Sequence, residues 1–303
     1  MSMVRRVCPL CSGPSLGVYI EGLHQAIASH VVGSSRTEVS IGRILRCREC
    51  RFGFLEVPPS ETELAESYRQ MNTAQYNAEG NGRSKTAEAH LHIVHKYVRN
   101  ANRLLDVGCA SGLFLQHAIN AGWDVVGVEP SQELYRAAQQ RLGPQAAIYG
   151  STLQSIILPP ASFDAITLWD VLEHVFDPVF FLKRCASLLR PGGHLFANVP
   201  DLDSLQSRIL GSRWPLLLPE HLNYFNRRSL QLCGNNAGLQ WVASCRRPAA
   251  FSLGYVLFRL EQHQVPGVSY MQKFVRSVGQ EDRLLSVHLG ELCGVWTGEA
   301  IST

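Results

Sequence analysis

Two short apolar runs constrain this chain more than anything else in it. Residues 104–112 read Leu-Leu-Asp-Val-Gly-Cys-Ala-Ser-Gly, and a second run, Trp123–Val128, ends in Glu129-Pro130, the acid lying 23 residues after Asp106. A buried strand, a glycine-bearing turn and a second strand tipped with an acid predict a nucleoside-binding unit. The glycines let backbone approach a ligand, and the carboxylate accepts both hydroxyls of a ribose. The turn reads D-x-G-x-x-x-G (Asp106, Gly108, Gly112), not the G-x-G-x-x-G of a pyrophosphate cradle. An acid at its head repels phosphate. It suits a nucleoside that carries an amino acid and a cationic centre.

The surrounding pattern alternates strand and helix. Leu91, Val94 and Val98 share one helical face leading into the first strand. A helix over Gly112–Ala121 stops at Gly122, and Ser131 caps a second that runs to about Arg141 before Gly143-Pro144. Phe163–Trp169 reads as a buried strand. Asp177-Pro178 starts a helix that ends at the turn Arg190-Pro191-Gly192-Gly193, and strand His194–Val199 follows. This alternation predicts an α/β fold: a Rossmann-like, doubly wound, mostly parallel sheet.

The nine cysteines divide by spacing. Cys8-Pro-Leu-Cys11 and Cys47-Arg-Glu-Cys50 form two C-x-x-C knuckles with 35 residues between them, while the other five are scattered singly. An odd total argues against a framework made only of disulfides. A redox C-x-x-C belongs on a strand-to-helix turn, which this segment lacks, so four paired thiols predict a closed structural zinc site. The chain then divides into a zinc-binding cap module (1–57), a helical linker or lid (58–100), a nucleoside-binding core (101–245) and an extension with no assigned role (246–303).

Composition narrows the partners. A net charge of +3 is too small to argue for nucleic acid, although residues 1–57 hold seven arginines against four acids. Ala249–Phe258 is about half the ~20 residues a membrane span needs, and no apolar core follows the N-terminal arginines. A cytoplasmic protein without a membrane span is expected. Oligomeric state is not written in the sequence.

Four ordered blocks carry a family resemblance: Leu104–Leu115, Val125–Ser131, Phe163–Val175 and Leu188–Leu195. At this order and spacing the chain resembles class I S-adenosylmethionine-dependent methyltransferases. More narrowly, it resembles a branch with an N-terminal four-cysteine zinc module that includes deoxysugar C-methyltransferases. The resemblance implies S-adenosylmethionine as methyl donor. Asp106 would face the donor's amino group, Gly108 and Gly112 would pass beneath its methionine part, and Glu129 would hold the ribose. Pro130 would line the adenine pocket, with Trp169 and Asp170 beside the reactive methyl. Cys8, Cys11, Cys47 and Cys50 would hold zinc. The segment Pro219–Asn226 resembles the branch's active-site phrase, which implies His221 as general base and Glu220 as its carboxylate partner. Tyr224, Tyr76 and His174 would line the substrate pocket. The expected acceptor is a small molecule, such as a sugar or natural-product intermediate. A ribosomal-RNA methyltransferase is the alternative, because some of those also begin with Cys-Pro-Leu-Cys. His90, His92 and His95 lack the spacing of a zinc helix and are expected to be solvated or capped.

Overall fold

A computed structural model of the chain describes residues 6–25, 39–60, 62–64, 66, 80–99, 103–246, 249–262 and 267–298. The N-terminal module consists of β1 (Leu16–Ile20), β2 (Leu23–Gln25), β3 (Val39–Ile41), β4 (Ile44–Cys47) and β5 (Gly53–Leu55). Helix α1 (Gly80–Tyr97) leads into the core, and its buried face holds Leu91, Val94 and neighbouring Val98 as the sequence predicts. The core then runs β6 (Arg103–Val107), α2 (Leu113–Asn120), β7 (Asp124–Val128), α3 (Gln132–Leu142), β8 (Ala146–Tyr149), β9 (Phe163–Trp169), α4 (Pro178–Leu188) and β10 (Leu189–Pro200). After it come α5 (Leu205–Leu210), β11 (Asn223–Tyr224), α6 (Arg227–Asn236), β12 (Leu239–Cys245), β13 (Ala249–Ser252), α7 (Leu253–Gln262), α8 (Val268–Ser277), β14 (Leu284–Val287) and β15 (Glu291–Gly298).

The central sheet has seven strands in the order β12-β15-β10-β9-β6-β7-β8. Pairing is parallel from β8 through β10, and β15 runs antiparallel to both its neighbours. Successive residues of a strand face opposite sides, and the two cores follow that rule. Leu105, Val107, Val126, Val128, Ile166 and Leu168 pack into one cluster with α4 and α6. Leu104, Val125, Ala165 and Phe196 pack into another with α1 and α2.

Local signals act as read. Ser131 accepts the Leu134 N–H and Asp177 the Phe180 N–H at their helix starts. Two differences stand out. First, β10 begins at Leu189, directly after α4, because Leu189 pairs with Phe163 before the exposed Pro191-Gly192 excursion shifts the register at His194. Second, the residues left without a role supply a sheet strand. β15 carries Leu292, Cys293, Val295 and Trp296, all at most 3% exposed. At roughly 1.5–3 kcal/mol per large apolar side chain buried, that strand belongs to the core and not to an appendage. Residues 101–245 therefore do not complete the sheet by themselves.

The N-terminal module is tied to the core rather than set beside it. β11 extends the sheet β1-β4-β5 as its fourth strand, pairing Asn223 with Phe54 and Tyr224 with Gly53. Phe52 and Phe54 are fully buried, and Phe52 packs 5.0 Å from the Phe225 ring. Among the described residues no helix is long and apolar enough to cross a membrane.

Candidate active site

The glycine turn between β6 and α2 is shaped by backbone sterics. Gly108 and Gly112 both take left-handed φ, +79° and +77°, where a side chain is strained. A Cβ on Gly108 would also sit 2.5 Å from Val171 Cγ2. The turn is latched from the second strand: Glu129 accepts the Ala110 N–H through Oε2 (2.9 Å) and the Ser131 N–H through Oε1 (2.8 Å). One carboxylate thus joins the turn to the start of α3. Asp106 accepts the Thr167 hydroxyl at 2.7 Å. Arg141 holds the Ser111 carbonyl from outside at 2.8 Å.

Both acids lie under the surface, Asp106 at 2% exposed and Glu129 at 6%. Loss of water pushes the Asp106 carboxyl up to about 7 and Glu129 up to about 6. Among the described residues no lysine or arginine pairs with either. The turn therefore carries two buried carboxyls with no basic side chain beside them among the described residues. Trp169 and Asp170 end the neighbouring strand β9. Asp170 adopts φ +57° and accepts the Asn198 amide at 2.7 Å, and burial raises its carboxyl. The Trp169 ring stacks on His90 at 3.9 Å and meets the edge of Phe114. His90 is therefore a stacking residue, not a solvated one, and His95 accepts the Trp123 indole N–H.

The second expected patch folds against the first. A 3-10 turn over Leu172–His174 follows β9, and the segment 216–224 lies on it. Leu222 N–H donates to the Glu173 carbonyl at 2.8 Å, and the Asn223 amide to the Val175 carbonyl at 2.6 Å. His174 and His221 meet edge to face at 4.7 Å, and His221 Nε2 lies 4.0 Å from Glu173 Oε1. Burial keeps both imidazoles neutral, drawing His174 down to about 4 and His221 well below its usual range. Burial lifts Glu173 well above the carboxylate range and Glu220 to about 7. Tyr224 packs beside this patch. It is fully buried in the cluster with Ile44, Leu55 and Trp214, and its hydroxyl donates to the Leu218 carbonyl. Strand pairing makes it core, with its ring 6.0 Å from that of His221. Tyr76 lies outside the described residues.

The four knuckle cysteines converge. Cys8 Sγ lies 3.5 Å from Cys50 Sγ, Cys11 Sγ 3.6 Å from Cys47 Sγ, and all four lie within 4.8 Å of one another. A tetrahedral zinc with Zn–S bonds of about 2.3 Å has S···S edges of about 3.8 Å. The donor set therefore fits that ion.

The family described as "Methyltransferase domain" matches residues 79–244, more than half the chain. The chain belongs to this methyltransferase family. Relatives named ubiquinone biosynthesis O-methyltransferase share part of it. The protein from Xanthomonas campestris pv. campestris is 38% identical over 100 residues, covering 32% of this chain and 42% of that protein. The one from Xanthomonas euvesicatoria pv. vesicatoria is 37% identical over 149 residues, covering 46% and 62%. The chain thus spans about half the length of the curated relatives it matches. In structure it resembles the Burkholderia thailandensis 1,6-didemethyltoxoflavin-N1-methyltransferase, solved with S-adenosylhomocysteine, at TM-score 0.51 and 16% identity over 83% of this chain and 97% of that one. A Leishmania major S-adenosylmethionine-dependent methyltransferase matches at TM-score 0.51 and 14% identity, covering 78% and 82%. Both show the fold.

The structure brings Asp106, Gly108, Gly112, Glu129 and Pro130 to one turn region, and Glu173, His174, Glu220 and His221 to another at the end of β9. Sequence reading missed Thr167, Asn198 and Val171, which touch Asp106, Asp170 and the Gly108 position. Nothing in their local sequence marks them, because each acts through a neighbour on another strand or turn.

Proposed function

We propose that this chain transfers a methyl group from S-adenosylmethionine to an oxygen of a small molecule. One observation carries this: two desolvated carboxylates, Asp106 and Glu129, flank a left-handed glycine turn at the carboxyl ends of adjacent parallel strands. Ligands of open α/β sheets bind at that edge. S-adenosylmethionine supplies an electrophilic methyl on a sulfonium centre and departs as the thioether. Asp106 would receive the donor's ammonium, and Glu129 its ribose hydroxyls. Trp169 and Asp170, at the end of the next strand, would border the methyl.

The acceptor would enter beside the 172–174 turn and the 216–224 segment. His221 would take its proton: Nδ1–H donates to the Leu216 carbonyl at 2.9 Å, so Nε2 carries the lone pair. Placing the nucleophile about 3 Å from the methyl in a dry site supplies most of the acceleration. The names of the partial relatives support an oxygen acceptor over the carbon acceptor of the deoxysugar branch, for which only the converging cysteines speak. The RNA alternative loses support because Arg43, Arg46 and Arg51 of the module pair with Glu21, Glu56 and Asp203, which offsets part of its positive charge.

Thermal melts with ligands test the donor. S-adenosylmethionine and S-adenosylhomocysteine should raise the melting temperature, NAD should not, and Glu129→Ala should abolish the rise. Stabilisation that persists in Glu129→Ala sinks the ribose assignment. Transfer of methyl label into nuclease-sensitive, high-mass material would favour the RNA alternative.

A further inference from the structure

The cavity between α1 and the sheet presents a carboxyl that the donor-binding turn does not use. Thr86, His90 and Ile93, on one face of α1, line one side of it, and Asn198, Glu291 and Cys293 the other. Strand register builds that second wall. Trp169, Asn198 and Cys293 stand abreast on β9, β10 and β15, and Glu291, two residues from Cys293 on the same strand, shares their face. Because β15 runs antiparallel to β10, Glu291 lies opposite Pro200, at the carboxyl edge of the parallel strands. The Asn198 amide donates to Asp170 at 2.7 Å and also serves the Glu291 carboxyl, since an amide nitrogen carries two N–H groups. Glu291 therefore reaches the end of β9 from the last strand, outside residues 79–244 of the matched family.

The surroundings of Glu291 suit a hydroxyl. Among the described residues no lysine or arginine forms an ion pair with it. Loss of water, and then the nearby Asp170 carboxylate, pushes its carboxyl up to about 8, so it holds a proton at neutral pH. A protonated carboxyl both donates and accepts hydrogen bonds, as a hydroxyl does. An anionic group placed here would instead meet Asp170 and Glu291 together, at a cost in like charge. The Trp169 ring, stacked on His90 at 3.9 Å, supplies aromatic surface beside the same space.

We propose that Glu291 is a specificity-determining residue of the methyl-transfer site, and that its carboxyl holds a non-reacting hydroxyl of a neutral acceptor. Asn198 keeps the carboxyl in place between β10 and β15. The acceptor's reacting oxygen then lies toward the end of β9, where Trp169 and Asp170 would border the methyl. A neutral, hydroxyl-bearing molecule is retained, and one that carries a carboxylate or phosphate at that end is turned away. This inference rests on the methyl-transfer proposal.

Calorimetry at neutral pH on the full chain saturated with S-adenosylhomocysteine tests this. Three probes share a phenol ring, which suits the aromatic wall, and differ at one group: 3-hydroxybenzyl alcohol carries a hydroxyl, 3-methylphenol none, and 3-hydroxybenzoate a carboxylate. The wild type should bind the alcohol roughly fivefold tighter than the methylphenol, the worth of one hydrogen bond. It should bind the benzoate at least roughly tenfold more weakly than the alcohol. Glu291→Ala should bring the alcohol-to-methylphenol ratio to about one. Glu291→Gln, which keeps a donor and an acceptor, should retain most of it. A general loss of packing would weaken all three probes together and leave the ratio unmoved. A wild-type ratio near one, a preference for the benzoate, a ratio unchanged in Glu291→Ala, or no binding of any probe overturns the proposal. A wild type that fails to bind S-adenosylhomocysteine refutes the donor proposal and this inference with it. One that binds it without a Glu291-dependent ratio refutes this inference alone.

Discussion

Replacing Asp106 by asparagine asks whether the glycine turn is built for a cation. The change keeps side-chain size and leaves an oxygen to accept the Thr167 hydroxyl. It removes a fully buried carboxyl that desolvation raises from 3.8 to about 7. Such a group binds its proton more tightly in the folded chain than in the unfolded one. Stability therefore falls as pH climbs from about 4 to about 7, then levels off. At 1.36 kcal/mol per pH unit, a span of about three units sets a ceiling of about 4 kcal/mol. The high effective dielectric of real protein sites brings this to about 2 kcal/mol. Without ligand, Asp106→Asn should melt roughly 4–8 °C above the wild type near pH 8.5 and level with it near pH 4. Its affinity for S-adenosylmethionine should fall roughly 10- to 100-fold, the value of one charge-assisted hydrogen bond. Melting curves over pH, with and without ligand, read both effects. A variant less stable than the wild type near pH 8.5, or one that binds the donor equally well, refutes the reasoning.

Two further outcomes follow from the packing. Gly108→Ala places a Cβ at φ +79° and 2.5 Å from Val171 Cγ2, and should cost about 2–4 kcal/mol in a thermal melt. Adding Val171→Ala should recover only the steric share, because the backbone strain remains. Cys47→Ser should remove the knuckle metal and speed amide exchange at Leu55, whose N–H donates to the Leu222 carbonyl. It should weaken S-adenosylmethionine binding far less, because the glycine turn makes no contact with β4 or β5 among the described pairings. Equal loss at both places would show that the knuckles support the whole fold.

Most of the parallel half of the sheet was legible locally. Strand β9 matches its apolar run from Phe163 to Trp169, and the caps at Ser131 and Asp177 use the side chains their residue types suggest. The glycine turn and Glu129 were also readable, since close approach and left-handed φ leave a fixed spacing in the chain. Strand β15 was not. Its role depends on lying between β10 and β12, a pairing across a long connection that leaves no periodic mark. Tyr224 likewise looked like a pocket residue from its polar neighbours and became core through pairing with Gly53.

By itself the sequence determined the strand–turn–helix unit, the acids beside its glycine turn and the cysteine spacing. Those depend on local sterics, capping and short-range geometry. Tertiary structure alone decided that Glu173, His174 and His221 stand together and that the cysteine module closes on β11. Contacts between segments far apart in sequence arise only when the two cores pack, and packing is a property of the whole chain.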